Sequence, residues 1–276
     1  MKILAGIVTY NPDLNRLKDN ISAIKKQIDR LIIVDNGSSN FSEITSNFQE
    51  LEVISLKSNK GIAVALNTIG QYAIDNEYSW FLTLDQDTVV YSDLISIYKQ
   101  YLSLPNVGTL TCIFQDINKE EVILSGLPYK EVEVCITSAA LMNTSVFEKS
   151  RRFDEWMFID YVDYDINFEF QRLGYKIYQI NQIGFLHEIG QARAINFLGI
   201  KTYTTNHSAL RRYYMVRNTI YLYKKYGKSE IRSGYLRHIR DDFFKVFFFE
   251  NHKWEKLSAM FKGLKDGLEA KVEKNV

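Results

Sequence analysis

The sequence predicts an α/β fold: a mostly parallel mixed sheet flanked by helices, followed by a helical C-terminal segment. Short aliphatic or β-branched runs at residues 2–9, 31–35, 52–56 and 80–84 alternate with stretches whose apolar residues recur every three or four positions. The runs are apolar nearly throughout, as strands covered on both faces are. Three of them end in polar clusters: Thr9-Tyr10-Asn11, Asp35-Asn36-Gly37-Ser38 and Asp85-Gln86-Asp87. Open sheets of this kind bind ligands beyond the carboxyl ends of their strands.

Taken in order, residues 2–9 form a strand that Asn11 and Pro12 break, and Asp13 caps a helix carrying Leu14, Leu17, Ile21, Ile24 and Ile28. Residues 31–35 are the second strand and 52–56 the third, after which Gly61 opens another helix. Residues 80–84 form the next strand. Further strands are expected over 107–141, with a hairpin near Gly126–Pro128, then a helix entered through acids at 160–172 and a strand pair over 175–187. From about residue 207 the pattern is helical, so the chain divides into a catalytic domain, 1–204, and a basic, aromatic helical segment, 205–276.

Composition narrows the class. With 276 residues, 46% hydrophobic, 24% charged and only 3 prolines, the chain is neither disordered, collagenous nor a coiled coil. Cys112 and Cys135 form no CxxC pair and read as buried thiols of a reducing compartment. No apolar run reaches the roughly 18 residues of a membrane span, and the N-terminus is too soon polar for a secretory signal, so a cytoplasmic protein is expected. The formal charge of +1 hides an asymmetry: residues 1–200 hold 17 Lys+Arg against 25 Asp+Glu, residues 201–276 hold 17 against 8. A basic tail on an acidic body suits an anionic partner, nucleic acid or a membrane surface. The last helix adds an amphipathic pattern, with Leu257, Met260, Phe261, Leu264 and Leu268 flanked by Lys253, Lys256, Lys262 and Lys265. Phe243, Phe244, Phe247 and Phe248 form an aromatic stripe that serves either a core or a membrane.

Asp85 and Asp87, one residue apart at a strand end, can share a divalent cation that neutralises a diphosphate. The same residues also suit helix capping, or a phosphatase in which Asp85 attacks phosphorus. Asp160, Asp163 and Asp165 crowd a helix start, where one can be structural and another a general base. His187 at a strand end is a candidate metal or phosphate ligand, with a structural role as the alternative. Arg211, Arg212 and Arg217, interleaved with Tyr213 and Tyr214, suit diphosphate or lipid headgroups if they are not simply a solvated face.

Together these residues resemble family 2 glycosyltransferases of the GT-A fold, most closely the bacterial rhamnosyltransferases of O-antigen and capsule assembly. The matching pieces are Val8–Asn11, Val34–Ser38, Asn59–Ala63 with Asn67, Leu84–Asp87, Phe158–Asp163, His187–Gly190, His207 through Arg211–Tyr214 to Arg217-Asn218, and Gly263–Leu268. The resemblance implies that Thr9, Tyr10, Asn11, Asp35, Asn36, Asn59, Gly61, Asn67 and Asp85 bind the nucleotide-sugar donor. It implies Mg²⁺ or Mn²⁺ on Asp85 and Asp87, with His187 as a further ligand, and Asp163 as the base, with Asp160 as its substitute because Val162 stands where relatives carry Glu. Arg211, Arg212, Tyr214 and Arg217 would take an acceptor diphosphate. The implied activity is inverting, metal-dependent hexosyl transfer. dTDP-L-rhamnose ranks first as donor and a UDP-sugar second, the acceptor is a lipid-linked saccharide, and no nucleic acid is involved. The protein would work peripherally on the inner face of the cell membrane. A nucleotidyltransferase and a non-enzymatic scaffold are the competing readings.

Overall fold

In the computed structural model, which describes residues 1–116, 124, 126–187, 193–197, 200–227 and 230–272, β1 (Ile3–Thr9) is buried along its whole length. It runs parallel to both neighbours, β2 (Arg30–Asp35) and β4 (Trp80–Asp85), with Thr9 opposite Asp35 and Val8 opposite Asp85. β3 (Glu52–Ser55) adds a parallel strand beyond β2. On the other side β8 (Ala140–Asn143) lies antiparallel between β4 and β6 (Val107–Asp116), and β9 (Lys176–His187) is parallel to β6. β5 (Val89–Val90) and β7 (Tyr129–Val132) pair antiparallel with β9. Among the described residues these nine strands make one sheet. Its parallel members bring Thr9, Asp35, Ser55, Asp85, Asp116 and His187 to one edge.

Helices cover the sheet because their apolar stripes have nowhere else to go. Asp13 caps α1 (Leu14–Ile24), its Oδ1 accepting the N–H groups of Asn15 at 2.8 Å and Arg16 at 3.0 Å, and Leu17, Ile21 and Ile24 are buried below. α2 (Phe41–Asn47) is a short helix that the sequence pattern did not announce. α3 (Ile62–Asp75) presses on β1 so closely that a Cβ on Gly6 would sit 2.5 Å from the Ile69 side chain. α4 (Leu94–Tyr101), α5 (Thr144–Lys149) and α6 (Val162–Arg172) complete this part.

One expectation is corrected. The strand pair over 175–187 is a single strand, β9, and β7, which follows the Gly126–Pro128 turn, pairs antiparallel with β9. Residues 117–123 and 125, where a hairpin partner would fall, and Glu188–Gly190 of the family-like motif lie outside the described residues.

Compactness divides the chain into Met1–Phe158 with Val162–Glu188, and Ile159–Tyr161 with Ile189–Val276. The charge boundary and the sequence division at 204/205 both fall within the second unit. That unit holds an antiparallel pair, β10 (Arg193–Phe197) and β11 (Ile200–Thr204), over residues that the sequence pattern assigned to no element. α7 (Ala209–Tyr226), α8 (Glu230–Phe249) and α9 (Lys253–Glu269) come next. Val216, Val246, Leu257 and Met260 form their core, with Phe243 and Leu264 packed against it. α9 lies against α7 through glycine: a Cβ on Gly263 would stand 2.4 Å from the Tyr213 carbonyl oxygen, and one on Gly267 2.8 Å from that of Arg217. No helix among the described residues is long and apolar enough to cross a membrane.

The basic character of this unit is partly internal. Arg212 is buried and pairs with Glu250 and with Asp242 at 3.0 Å, while Lys256 donates to Glu250 at 2.9 Å and Asn206 at 2.6 Å. Lys256 therefore leaves the basic flank assigned to the last helix. Burial works to raise Glu250, but Thr204, Lys256 and Arg212 hold its carboxyl below the usual range. Burial, backed by the guanidiniums of Arg211 and Arg212, pushes the His207 imidazole down to about 4, against the pull of Asp160 and Glu250.

An unfolded histidine takes up its proton near about 6.5, whereas native His207 stays neutral down to about 4. The unfolded chain thus binds more protons in that window, and stability falls as pH drops through it. His207→Gln should flatten this fall, so that its urea midpoint changes less than the wild-type midpoint between about pH 7 and pH 4.5. Parallel slopes for the two proteins would show that the pH cost arises elsewhere.

Candidate active site

The polar edge of the sheet is knitted together by side chains at the strand ends. Asp35 is fully buried: Oδ1 accepts from Thr9 Oγ1 at 3.0 Å and from Ser38 Oγ, and Oδ2 from the N–H groups of Gly37 and Ser38 at 3.1 and 3.0 Å. Thr9 and Asp35, both expected at the donor, here shape the loop that follows β2. Gly37 is required there, with φ +84° and a would-be Cβ only 2.4 Å from the Ser58 backbone. Asn11, in the left-handed region at φ 49°, receives the Ser39 N–H at 2.7 Å and gives its own to Ser38 Oγ at 2.8 Å. Tyr10 projects from this edge, its ring exposed and its N–H donated to Gln86 Oε1 at 2.8 Å.

Asn36 and Asn59 bond each other at 3.1 Å, and their amide oxygens take the N–H groups of Lys60 and Gly61 at 2.9 and 3.0 Å. Gly61, at φ +91°, passes so near Phe158 that a Cβ would lie 2.6 Å from its carbonyl oxygen, which accepts the Ile62 N–H at 2.7 Å. Asn67 uses both ends of its amide on the same stretch: Oδ1 accepts from the Phe153 N–H at 3.0 Å, and Nδ2 donates to Phe153 O and Glu155 Oε1, each at 2.9 Å. These donor-side candidates brace the chain leading to Phe158.

At the end of β4, Asp85 and Asp87 stand beside His187. Burial raises the Asp85 carboxyl above its usual range; His187 opposes the shift and the Asp87 charge reinforces it. Arg16 lies 3.9 Å from Asp87. His187 ends β9 opposite Asp116 of β6, and its buried Nδ1 has no hydrogen-bond partner in the structure. The two carboxylates are hard oxygen donors that fit Mg²⁺ or Mn²⁺, and the imidazole nitrogen adds a softer donor beside them. Among the described residues no three such groups stand close enough to form a ready-made cage.

Three residues that sequence reasoning passed over hold this corner. Asn20 Nδ2 donates to the Asp85 carbonyl at 2.7 Å, Ser138 Oγ receives the Asp85 N–H at 3.3 Å and bonds Thr88 Oγ1 at 2.5 Å, and Gln86 joins β4 to Tyr10. Asn20 had a signal: it is the polar residue on the apolar stripe of α1, between Leu17 and Ile21. Ser138 had none, because its partner lies 53 residues away.

Asp163 sits in the first turn of α6, its Oδ1 accepting the Tyr164 N–H at 3.0 Å. Its charge, after burial, helps push the Cys135 thiol up to about 12. Within the second unit, Asp160 is 10% exposed and pairs with Arg211 at 2.5 Å. Of the four residues assigned to an acceptor diphosphate, Arg211 is the outward one, at 44% exposure. Arg212, 2% exposed, is enclosed between Glu250 and Asp242. Arg217 is nearly buried, 4.6 Å over the Tyr214 ring and 5.6 Å over Tyr213.

The model of glycosyl transferase family 2 matches residues 5–124. A dTDP-rhamnosyl transferase of Shigella flexneri, RfbF, is 30% identical over 242 residues, 81% of this chain and 80% of that protein. The fold resembles Staphylococcus aureus TarS in complex with UDP, with a TM-score of 0.62 at 14% identity over 98% of this chain and 80% of that one. It also resembles GalNAc-T7 with UDP, GalNAc and Mn²⁺, with a TM-score of 0.64 at 11% identity over 98% of this chain and 56% of the other. The sheet is that of the GT-A glycosyltransferases, and the family match displaces the phosphatase reading of Asp85. The chain belongs to glycosyl transferase family 2.

Proposed function

We propose that this glycosyltransferase moves L-rhamnose from dTDP-β-L-rhamnose to a saccharide acceptor, with inversion, in O-antigen or capsule synthesis. The observation that carries the donor is the 30% identity, over 81% of the chain, to an enzyme named for dTDP-rhamnose. A UDP-sugar is the second donor class, supported by the UDP complex of TarS.

In this reading Asp163 accepts the proton of an acceptor hydroxyl, whose oxygen attacks the anomeric carbon. The bond from that carbon to the diphosphate breaks on the opposite face, dTDP leaves, and the product is an α-L-rhamnoside. Asp160, the substitute candidate, has its carboxylate bound by Arg211. Asp85, Asp87 and His187 would hold Mg²⁺ or Mn²⁺, which supplies positive charge for the diphosphate. Tyr10, Asn11 and the loops ordered by Asp35, Asn36 and Asn59 line the donor side, while Arg211, with Tyr214 and Arg217 behind it, serves the acceptor diphosphate.

The acceptor is taken to be lipid-linked and the enzyme peripheral on the inner membrane face. Support comes from the stripe on α8, which divides into two parts: Phe243 packs inward, whereas Phe244, Phe247 and Phe248 are exposed, the last at 55%. Trp254 joins them at 69% exposure, its ring centroid 6.1 Å from that of Phe247, with Lys253 Nζ 5.6 Å from the Phe247 centroid. Aromatic rings beside lysines suit the boundary of an anionic leaflet, where each basic side chain contributes about 1 kcal/mol.

Asp87→Ala should abolish metal-dependent binding of dTDP-β-L-rhamnose in calorimetry and leave the circular dichroism unchanged; undiminished metal-dependent affinity would refute the metal assignment. Asp163→Asn should keep donor binding and lower dTDP release by about 10²–10⁴-fold, with Asp160→Asn milder. The reverse ranking would move the base to Asp160. The full chain should float with phosphatidylglycerol-containing vesicles, less so in high salt. A Phe247→Ser, Phe248→Ser, Trp254→Ser variant should stay at the bottom of the gradient. Equal flotation of both proteins, or flotation of neither, would argue against membrane docking through this patch.

A further inference from the structure

The chain before α6 takes an uncommon path. Phe158, Asp160 and Tyr161 have φ of 64°, 65° and 64°, three left-handed, non-glycine residues within four positions. Side chains disfavour this region, so such a run persists only where its surroundings impose it. Within the second unit the imposing group is Asn218 of α7. It is fully buried, and its Nδ2 donates one hydrogen bond to Ile159 O at 2.7 Å and the other to Asp160 O at 2.8 Å. Its Oδ1 accepts from Arg217 Nε at 3.0 Å, and Arg217 is itself stacked over Tyr214 and Tyr213. Only an amide meets both demands. A carboxylate would set its oxygens against two carbonyl oxygens, and an alkyl group would leave both carbonyls without this donor. Arg211, about two helical turns earlier on α7, holds the Asp160 carboxylate at the same turn.

We propose that Asn218 is a positioning residue for glycosyl transfer: by clamping the carbonyls of Ile159 and Asp160 it fixes the strained turn from which α6, and with it Asp163, departs. The chain itself supplies the link. Val162 opens α6 directly after Tyr161, and Asp163 is the next residue. Asn218 touches no reacting atom; it sets the direction in which the turn delivers the base. A displacement of about 1 Å at a catalytic group can cost on the order of 10²-fold in rate, so a turn free to relax into ordinary dihedrals would lose most of its turnover. This inference rests on the reading of Asp163 as the base and of dTDP-β-L-rhamnose as donor, and two independent readouts separate the claims.

The test uses the full chain with Asn218→Ala, and Asn218→Ser in its place should the alanine variant fail to fold; serine restores one of the two donors. Amide hydrogen exchange over residues 159–164 should quicken in the variant while the exchange of α3 and β1 stays as in the wild type. The rate of dTDP release from dTDP-β-L-rhamnose, with water as acceptor, should fall 10- to 100-fold with unchanged donor Kd, and the serine variant should lie between alanine and wild type. Unchanged exchange over 159–164, release within twofold of wild type, or a Kd that weakens in step with the rate would each overturn the proposal. Wild-type protein that neither binds nor consumes the donor would instead overturn the rhamnosyl reading, and the exchange measurement would still decide whether Asn218 holds the turn.

Discussion

A parallel strand between two parallel neighbours must be covered on both faces and can meet water only at its ends. β1 obeys this constraint, with seven buried residues and with β2 and β4 paired along its length. Its register decides where polarity can appear. Thr9 beside Asp35, and Val8 beside Asp85, put the first polar groups of three strands at a common edge, and β6 and β9 add Asp116 and His187 there. The edge is then stiffened from within, because a buried carboxylate such as Asp35 must have every lone pair answered. Loops organised by Asp35, Asn36 and Asn59 are the result, and the start of α3 meets the Phe158 carbonyl as their continuation.

The first half of this architecture was legible because its signals are local. An aliphatic run followed by Asn, Asp or Gly announces both the strand and the edge, and Thr9–Asn11, Asp35–Ser38 and Asp85–Asp87 all lie where the pattern puts them. Long-range pairing left no such trace. β7 looks like half of a hairpin, yet it pairs with a strand some fifty residues on, and Ser138 is an ordinary serine until Asp85 is set against it. Helical periodicity has a similar blindness. It groups Phe243 with Phe244, Phe247 and Phe248, although a helix side has two flanks and only one faces Val216 and Val246.

Charge was the least legible property. Counting along 201–276 gives a strong positive excess, but the count treats every cation as solvated. Arg212 and Lys256 are enclosed with Glu250, and Lys225 is nearly buried, with its ammonium 5.7 Å from the Tyr221 ring and 5.6 Å from that of Tyr226. What remains for an anionic surface is a smaller set, among them Arg240, Lys253 and Lys265. Neutralising an internal guanidinium keeps the helices together, whereas an outward lysine steers long-range encounter, so the two populations of cations answer differently to salt.

The glycine contact between α7 and α9 bears on how this helix pair is kept together. Where Gly263 and Gly267 meet the carbonyls of Tyr213 and Arg217, main chain rests on main chain with no side chain to immobilise. Most helix contacts lose rotamer freedom in proportion to the side chains they bury, and glycine contributes nothing to that loss. The pair therefore gains close dispersion contact without side-chain entropy loss at the seam, at the expense of the backbone freedom that each helical glycine gives up on folding, and its geometry is set by backbone shape instead of by a choice among rotamers. Such a seam has few alternative packings, which fixes the rotation of α9 about its own axis and hence the side on which Phe261 and Leu268 emerge.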